Sequence, residues 1–149
     1  MDAFLAMIRW SEGTSRIPNS DNGYRVLVGS TPTHPILFDD YSKHPDVYNP
    51  RFNSTAAGAY QIIFPTWSGL CVQLGLNDFS PATQDAMASF LVAHECGALG
   101  AVQSGDFASA VALCAREWAS LPGSTSGQPQ SVMDNLVAAY TGAGGVLGT

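Results

Sequence analysis

Asp2-Ala3-Phe4-Leu5-Ala6-Met7-Ile8-Arg9-Trp10-Ser11-Glu12-Gly13 lies at the start of the chain, and its reading sets the frame for everything after it. Ala3, Phe4, Leu5, Met7 and Ile8 recur at the three- and four-residue spacing that gathers side chains on one face of a helix. Asp2 offers an N-cap and Gly13 a stop. The helix so bounded delivers Trp10, Ser11 and Glu12 at its C-terminal end. That end carries partial negative charge, so an ionised carboxylate there is disfavoured and its proton is held more tightly than in water. A carboxyl group that keeps its proton near neutral pH is what a general acid requires. By position alone, Glu12 fits a solvated carboxylate closing a helix just as well.

Beyond Gly13 the composition turns to Pro, Asn, Asp, Gly and Ser as far as Ser54, with two β-prone runs, Tyr24-Arg25-Val26-Leu27-Val28 and Ile36-Leu37-Phe38. This predicts a small antiparallel sheet with long loops over about residues 14–54. Helical signals then return. Pro65 stands near the start of a segment through Leu74, and Ser80-Pro81 opens a longer one ending before Gly97. A further helix is expected from Asp106 to Ala119, and another from Ser131, where Ser131-Val132-Met133-Asp134 resembles a capping box. The tail from Gly142 to Thr149 is expected to be mobile. No internal repeat is visible, and the pattern reads as α+β in one domain spanning 1–149: a helical body with a small sheet inserted near its beginning.

The composition narrows the function. A chain of 149 residues with 46% hydrophobic content supports one core and is too short for two ordinary domains. Only 12% of residues are charged, so the surface must be covered by Ser, Thr, Asn, Gln and Gly, which suits a polar, neutral ligand such as a sugar. The net charge of −6 argues against nucleic acid, whose binding needs clustered Lys and Arg, and against stable binding to anionic lipid. No apolar stretch approaches the length needed to span a bilayer. Met1 to Trp10 lacks the basic region of a signal peptide and is interrupted by Arg9, so it reads as a mature helix. Cys71, Cys96 and Cys114 are an odd number in apolar helical contexts, which suits free thiols in a reducing cytoplasm.

A second constellation is Ser54-Thr55-Ala56-Ala57-Gly58-Ala59-Tyr60-Gln61. Small residues let a ligand approach the backbone, Tyr60 can offer a ring face to a sugar, and Gln61 supplies a donor and an acceptor for hydroxyl and N-acetyl groups. The same stretch also fits a turn followed by core residues. His94-Glu95-Cys96-Gly97-Ala98 lacks the second histidine of a zinc-protease motif, and the cysteines have no metal-ligand spacing, so no metal or other cofactor is expected. His34 and His44 read as loop residues.

Three separated matches carry a resemblance to a known family: Ala3-Phe4-Leu5 with Trp10-Ser11-Glu12-Gly13; Phe38 through Pro45 with Ser54-Thr55, Gly58 and Tyr60-Gln61; and Trp118-Ala119-Ser120-Leu121-Pro122-Gly123. Gln73-Leu74-Gly75-Leu76, Asp78-Phe79-Ser80-Pro81 and Gln84-Asp85-Ala86 continue the agreement in register. On these residues the chain resembles the lambda-type phage endolysins, lytic transglycosylases of the lysozyme-like superfamily. The resemblance implies a lysozyme-like fold whose active-site cleft lies between the helical body and the small sheet. It implies Glu12 as the catalytic carboxylate and Ser54, Thr55, Gly58, Tyr60, Gln61 and Gln128 on the substrate. Where the family can place an aromatic between the Leu121-Pro122-Gly123 turn and Gly127, this chain has Ser126, so that glycan subsite is expected to be weaker or differently built.

The reaction so implied breaks the β-1,4 bond between N-acetylmuramic acid and N-acetylglucosamine of peptidoglycan and leaves a 1,6-anhydro sugar. A lysozyme-type hydrolase would need a second carboxylate, and Asp21, Asp39, Asp40 and Asp46 lie where one could sit. A catalytically inactive glycan-binding or virion module would have no need of Glu12. A monomer held in the host cytoplasm is expected, and the resemblance implies release to the periplasm and wall through a holin-type pore.

Overall fold

The computed structural model describes residues Met1–Thr149. The first helix, α1, runs Asp2–Glu12 and stops where Gly13 takes a left-handed φ of 79°. Asp2 is its first residue, not its cap: the amides of Phe4 and Leu5 donate to the Met1 carbonyl. The remaining helices are α2 (Phe64–Leu74), α3 (Pro81–Phe90), α4 (Leu99–Ser104), α5 (Phe107–Cys114) and α6 (Met133–Gly142). Leu91–Glu95 continues α3 as a widened turn, closed by the Cys96 amide on the Leu91 carbonyl at 2.8 Å. The chain forms two compact units, one of Met1–Ser11 with Ala88–Thr149 and one of Glu12–Met87.

The first unit is helical. Phe4, Met7 and Ile8 of α1 are buried as their spacing predicts, and Phe4 meets Phe107 edge-on at 6.2 Å, with Tyr140 4.8 Å beyond. Asp106 caps α5 by accepting from the Ser109 amide, but the helix ends at Cys114, short of the expected Ala119. Turns follow that bury Trp118 and Leu121. The capping box expected at Ser131 does not form: Val132 occupies the cap position without a side-chain bond, and the Ser131 hydroxyl meets Ser11 at 2.9 Å instead. In the tail, the Gly148 amide donates to the Gly105 carbonyl at 2.9 Å. No helix is long and apolar enough to cross a membrane.

The second unit corrects the expected sheet. The two β-prone runs meet antiparallel with Val26 opposite Leu37, but pairing is limited to isolated bridges. Leu27 donates to Ile36 at 2.8 Å and Phe38 to Arg25 at 3.0 Å, while on the other side Val28 donates to Ala56 at 3.0 Å and Gly58 to Val26 at 2.8 Å. A further bridge joins Ala57 to Ile62, so the paired segment passes well beyond Ser54. The reason it never becomes a ladder is local. Pro32, Pro35, Pro45 and Pro50 carry no amide donor, and Asn19, Asp21, Asn22, Asp46 and Asn53 turn the chain away at φ between 48° and 58°.

Candidate active site

Glu12 is half-buried at the last residue of α1. Two residues on, Thr14 is buried, and its hydroxyl donates to the Ala59 carbonyl at 2.6 Å. Gly23 closes over Thr14 so tightly that a β-carbon there would lie 2.9 Å from the Thr14 hydroxyl. The turn that follows the carboxylate is thereby tied to the turn that presents Gln61. A hydroxyl buried in this way is held by the cost of leaving it unpaired.

That second turn is built around one amide. Gln84 is fully buried; its Oε1 accepts from the Ala59 amide at 2.8 Å, and its Nε2 donates to the Tyr24 and Phe79 carbonyls at 3.0 and 2.9 Å. Gly58, at φ 80°, leaves the room Gln84 needs: a β-carbon would lie 2.2 Å from Gln84 Oε1. Next to it Asp85 Oδ1 accepts from the phenols of Tyr24 at 2.9 Å and Tyr60 at 2.5 Å, and the two rings stand edge to face at 6.5 Å. Tyr60 is only 1% exposed. Its ring is a core element and is not offered to a sugar, contrary to the expectation from sequence.

Gln61 is half-buried and held at φ 52°, with Nε2 donating to the Gly58 carbonyl at 3.0 Å. Thr55 serves α2: its hydroxyl accepts from the Phe64 amide at 2.9 Å, a bond that Ile63 at the cap position cannot make through its side chain. Ser54 Oγ accepts from the Ala56 amide at 3.0 Å. Glu12, Ser54, Thr55, Gly58, Tyr60 and Gln61 all belong to the Glu12–Met87 unit; Gln128 belongs to the other, exposed on a loop where its amide donates to Ser126 Oγ.

Three of the four aspartates of the bridged segment have partners of their own, and the fourth is exposed. Asp39 pairs with Arg25, whose Nε also donates to the Phe38 carbonyl at 2.8 Å. Asp21 accepts from the Tyr41 phenol at 2.6 Å. Asp40 accepts from the Ser42 amide at 2.8 Å, and this bond holds its carboxyl below the ordinary range. Asp46 is exposed at φ 50°. No group of three or more His, Cys, Asp or Glu is arranged to hold a metal ion.

The model of the Endolysin family matches residues 2–147. The chain belongs to that family. It is 43% identical over 150 residues to the endolysin of Escherichia phage lambda, covering 97% of this chain and 91% of the relative. It is 41% identical over 153 residues to the endolysin of Escherichia phage P2, covering 97% and 92%. Among solved structures, bacteriophage lambda lysozyme complexed with a chitohexasaccharide matches with a TM-score of 0.89 at 43% identity, over 98% of this chain and 94% of that one. Lysozyme from bacteriophage lambda, in a second structure, matches with a TM-score of 0.83 at 42% identity, over 97% and 94%. The fold of this endolysin is therefore that of lambda lysozyme.

Sequence reasoning about this endolysin missed the residues that hold the turns together. Thr14 carried no signal beyond its place after Gly13. Gln84 and Asp85 entered only as points of resemblance. His44 lies in a loop as expected, but it is 1% exposed, boxed by Phe64, Trp67 and Phe79 at 4.8 to 5.9 Å. Its Nε2 meets the Ile62 carbonyl at 2.7 Å, and Nδ1 accepts from the Asp46 amide at 3.0 Å. That pair of contacts requires the neutral tautomer with the proton on Nε2. Burial pushes its pKa below the usual histidine value, against the opposing pull of the Ile62 carbonyl and Asp46. A histidine among three aromatics, 18 residues before Ile62, has no local sequence mark.

Proposed function

We propose that this endolysin lyses the host wall by cleaving the β-1,4 bond between N-acetylmuramic acid and N-acetylglucosamine through lytic transglycosylation. Glu12 protonates the bridging oxygen. The resulting carboxylate then accepts the proton of the muramic acid C6 hydroxyl as that oxygen bonds to C1, which leaves a 1,6-anhydro end and returns Glu12 to its protonated form. One carboxyl group serves both transfers, and the nucleophile belongs to the substrate. Intramolecular attack gains from effective molarity, so the protein has only to orient the ring.

The observation that carries this reading over hydrolysis is the disposition of the aspartates. Hydrolysis needs a second carboxyl group, roughly 5 Å from the first for retention or about 6.5–9.5 Å for inversion. Asp21 and Asp39 are each bound to a side chain and Asp40 to the Ser42 amide, while Asp46 faces solvent. The chitohexasaccharide on lambda lysozyme supports a glycan with N-acetyl groups as the ligand class. Gln61, its nitrogen spent on backbone carbonyls, offers the glycan its carbonyl oxygen. Tyr60, Gly58, Thr55 and Ser54 frame that offer, and Gln128 adds a contact of its own. The chain works as one monomeric catalytic domain without a cofactor, is held in the host cytoplasm, and reaches the wall through a holin-type pore.

Mass spectrometry of digested sacculi tests the reaction type. Transglycosylation gives muramic acid ends lighter by one water than the reducing ends of hydrolysis. Predominantly reducing ends would replace this reading with a two-carboxylate hydrolase on the same fold.

A further inference from the structure

The residue before Glu12 makes a pair of contacts that the reaction does not explain. Ser11 is 8% exposed in the last turn of α1. Its hydroxyl donates to Ser120 Oγ at 2.9 Å and lies 2.9 Å from Ser131 Oγ. A hydroxyl has one proton to give. With that proton on Ser120, Ser11 must accept from Ser131, so the three form a directed chain from Ser131 through Ser11 to Ser120. Such chains polarise one another and are stronger than isolated pairs.

Ser120 and Ser131 bracket the segment Leu121–Gln130, and the Ser131 amide donates to the Ser120 carbonyl at 2.7 Å. Between them the segment is largely exposed and braced by its own polar contacts, Gln130 Nε2 to the Ser124 carbonyl at 2.7 Å and Ser124 Oγ to Ser126 Oγ at 3.1 Å. The base of an exposed loop is thus fixed to Ser11, in the last turn of α1.

We propose that Ser11 is a positioning residue: it clamps the two ends of the 121–130 loop so that Gln128 is held ready for the glycan. The proposal rests on the glycan reading of the site. Loops of this kind are drawn from the low-stability end of a fold, and the bonds at their base set how often they open.

The test compares the full-length wild type with Ser11→Ala and Ser131→Ala. The loss of one such bond should speed amide exchange at Ser124 and Ser131 by roughly tenfold, with exchange in α2 unchanged. On purified peptidoglycan, KM should rise by roughly three- to tenfold while kcat holds. Adding Ser131→Ala to Ser11→Ala should change KM no further, because the chain is already cut. Unchanged loop exchange, an unchanged KM, or a fall in kcat alone would each overturn the clamp. Ser131 is only half-buried, so Ser131→Ala carries the test if Ser11→Ala does not fold. A wild type that cleaves no glycan would sink the reading of the site, while the exchange comparison would still decide whether Ser11 holds the loop.

Discussion

Two segments that the family resemblance puts on the substrate are built in opposite ways. Gly58–Gln61 is held by buried bonds reaching far along the chain: Gln84 on the Ala59 amide, Thr14 on its carbonyl, Asp85 on the Tyr60 phenol. The loop around Gln128 is exposed, its internal bonds run over two to seven residues, and its ties to the rest gather at Ser120 and Ser131. Turns held by long-range bonds can keep a group within the fraction of an ångström that chemistry demands, whereas a loop anchored at its base is free to adapt.

Gly58→Ala probes the rigid part most severely. The added methyl must displace a fully buried amide at 2.2 Å, and alanine pays about 1–2 kcal/mol for the left-handed backbone. With a buried donor left unpaired at a further cost of about 1–3 kcal/mol, the total should reach about 3 kcal/mol and lower Tm by roughly 10 °C. A Tm within a degree or two of wild type in a thermal melt would mean the turn is soft and the contrast between the two segments false.

His44 sharpens the comparison by pH. Its folded pKa is depressed below 6.5, so below that value the unfolded chain binds more protons than the folded one. The stability it contributes is whole above about pH 6.5 and is lost as pH falls from there through the folded pKa, when a protonated Nδ1 can no longer accept from Asp46. Tm of the wild type should decline across that window with a slope that His44→Gln lacks. Identical slopes would remove His44 from the account.

At the other extreme, Gln128→Ala should alter stability by less than about 0.5 kcal/mol, as exposed substitutions do, while raising KM on peptidoglycan. A large drop in Tm would show that the loop is part of the core fabric after all.

How much of this was legible in the sequence follows the reach of the interactions. α1 and its Gly13 stop, the Pro65 start of α2 and the Ser80-Pro81 start of α3 are written in spacings of one to four residues, and they were readable. The two β-prone runs were paired correctly, but the prolines and left-handed asparagines that reduce the pairing to single bridges act through backbone geometry that alternation does not report. Tyr60 looked like a sugar platform because nothing near it announces Asp85, 25 residues away. Ser131 looked like a cap because its partner, Ser11, is 120 residues distant. The position of Glu12 at the end of a helix is legible in its spacing from Phe4 and Ile8, whereas the bond that steadies the turn after it, Thr14 on Ala59 across 45 residues, is not.

The central claim is that Glu12 alone carries both proton transfers, and the most direct measurement is the rate of peptidoglycan cleavage by Glu12→Gln beside Asp21→Asn, Asp39→Asn, Asp40→Asn and Asp46→Asn, each with its fold checked by circular dichroism. Glu12→Gln should keep the fold and lose at least about 100-fold in kcat, while the four aspartate variants remain within a few-fold of wild type. Near-wild-type turnover by folded Glu12→Gln, or one folded aspartate variant as inactive as Glu12→Gln, would contradict it.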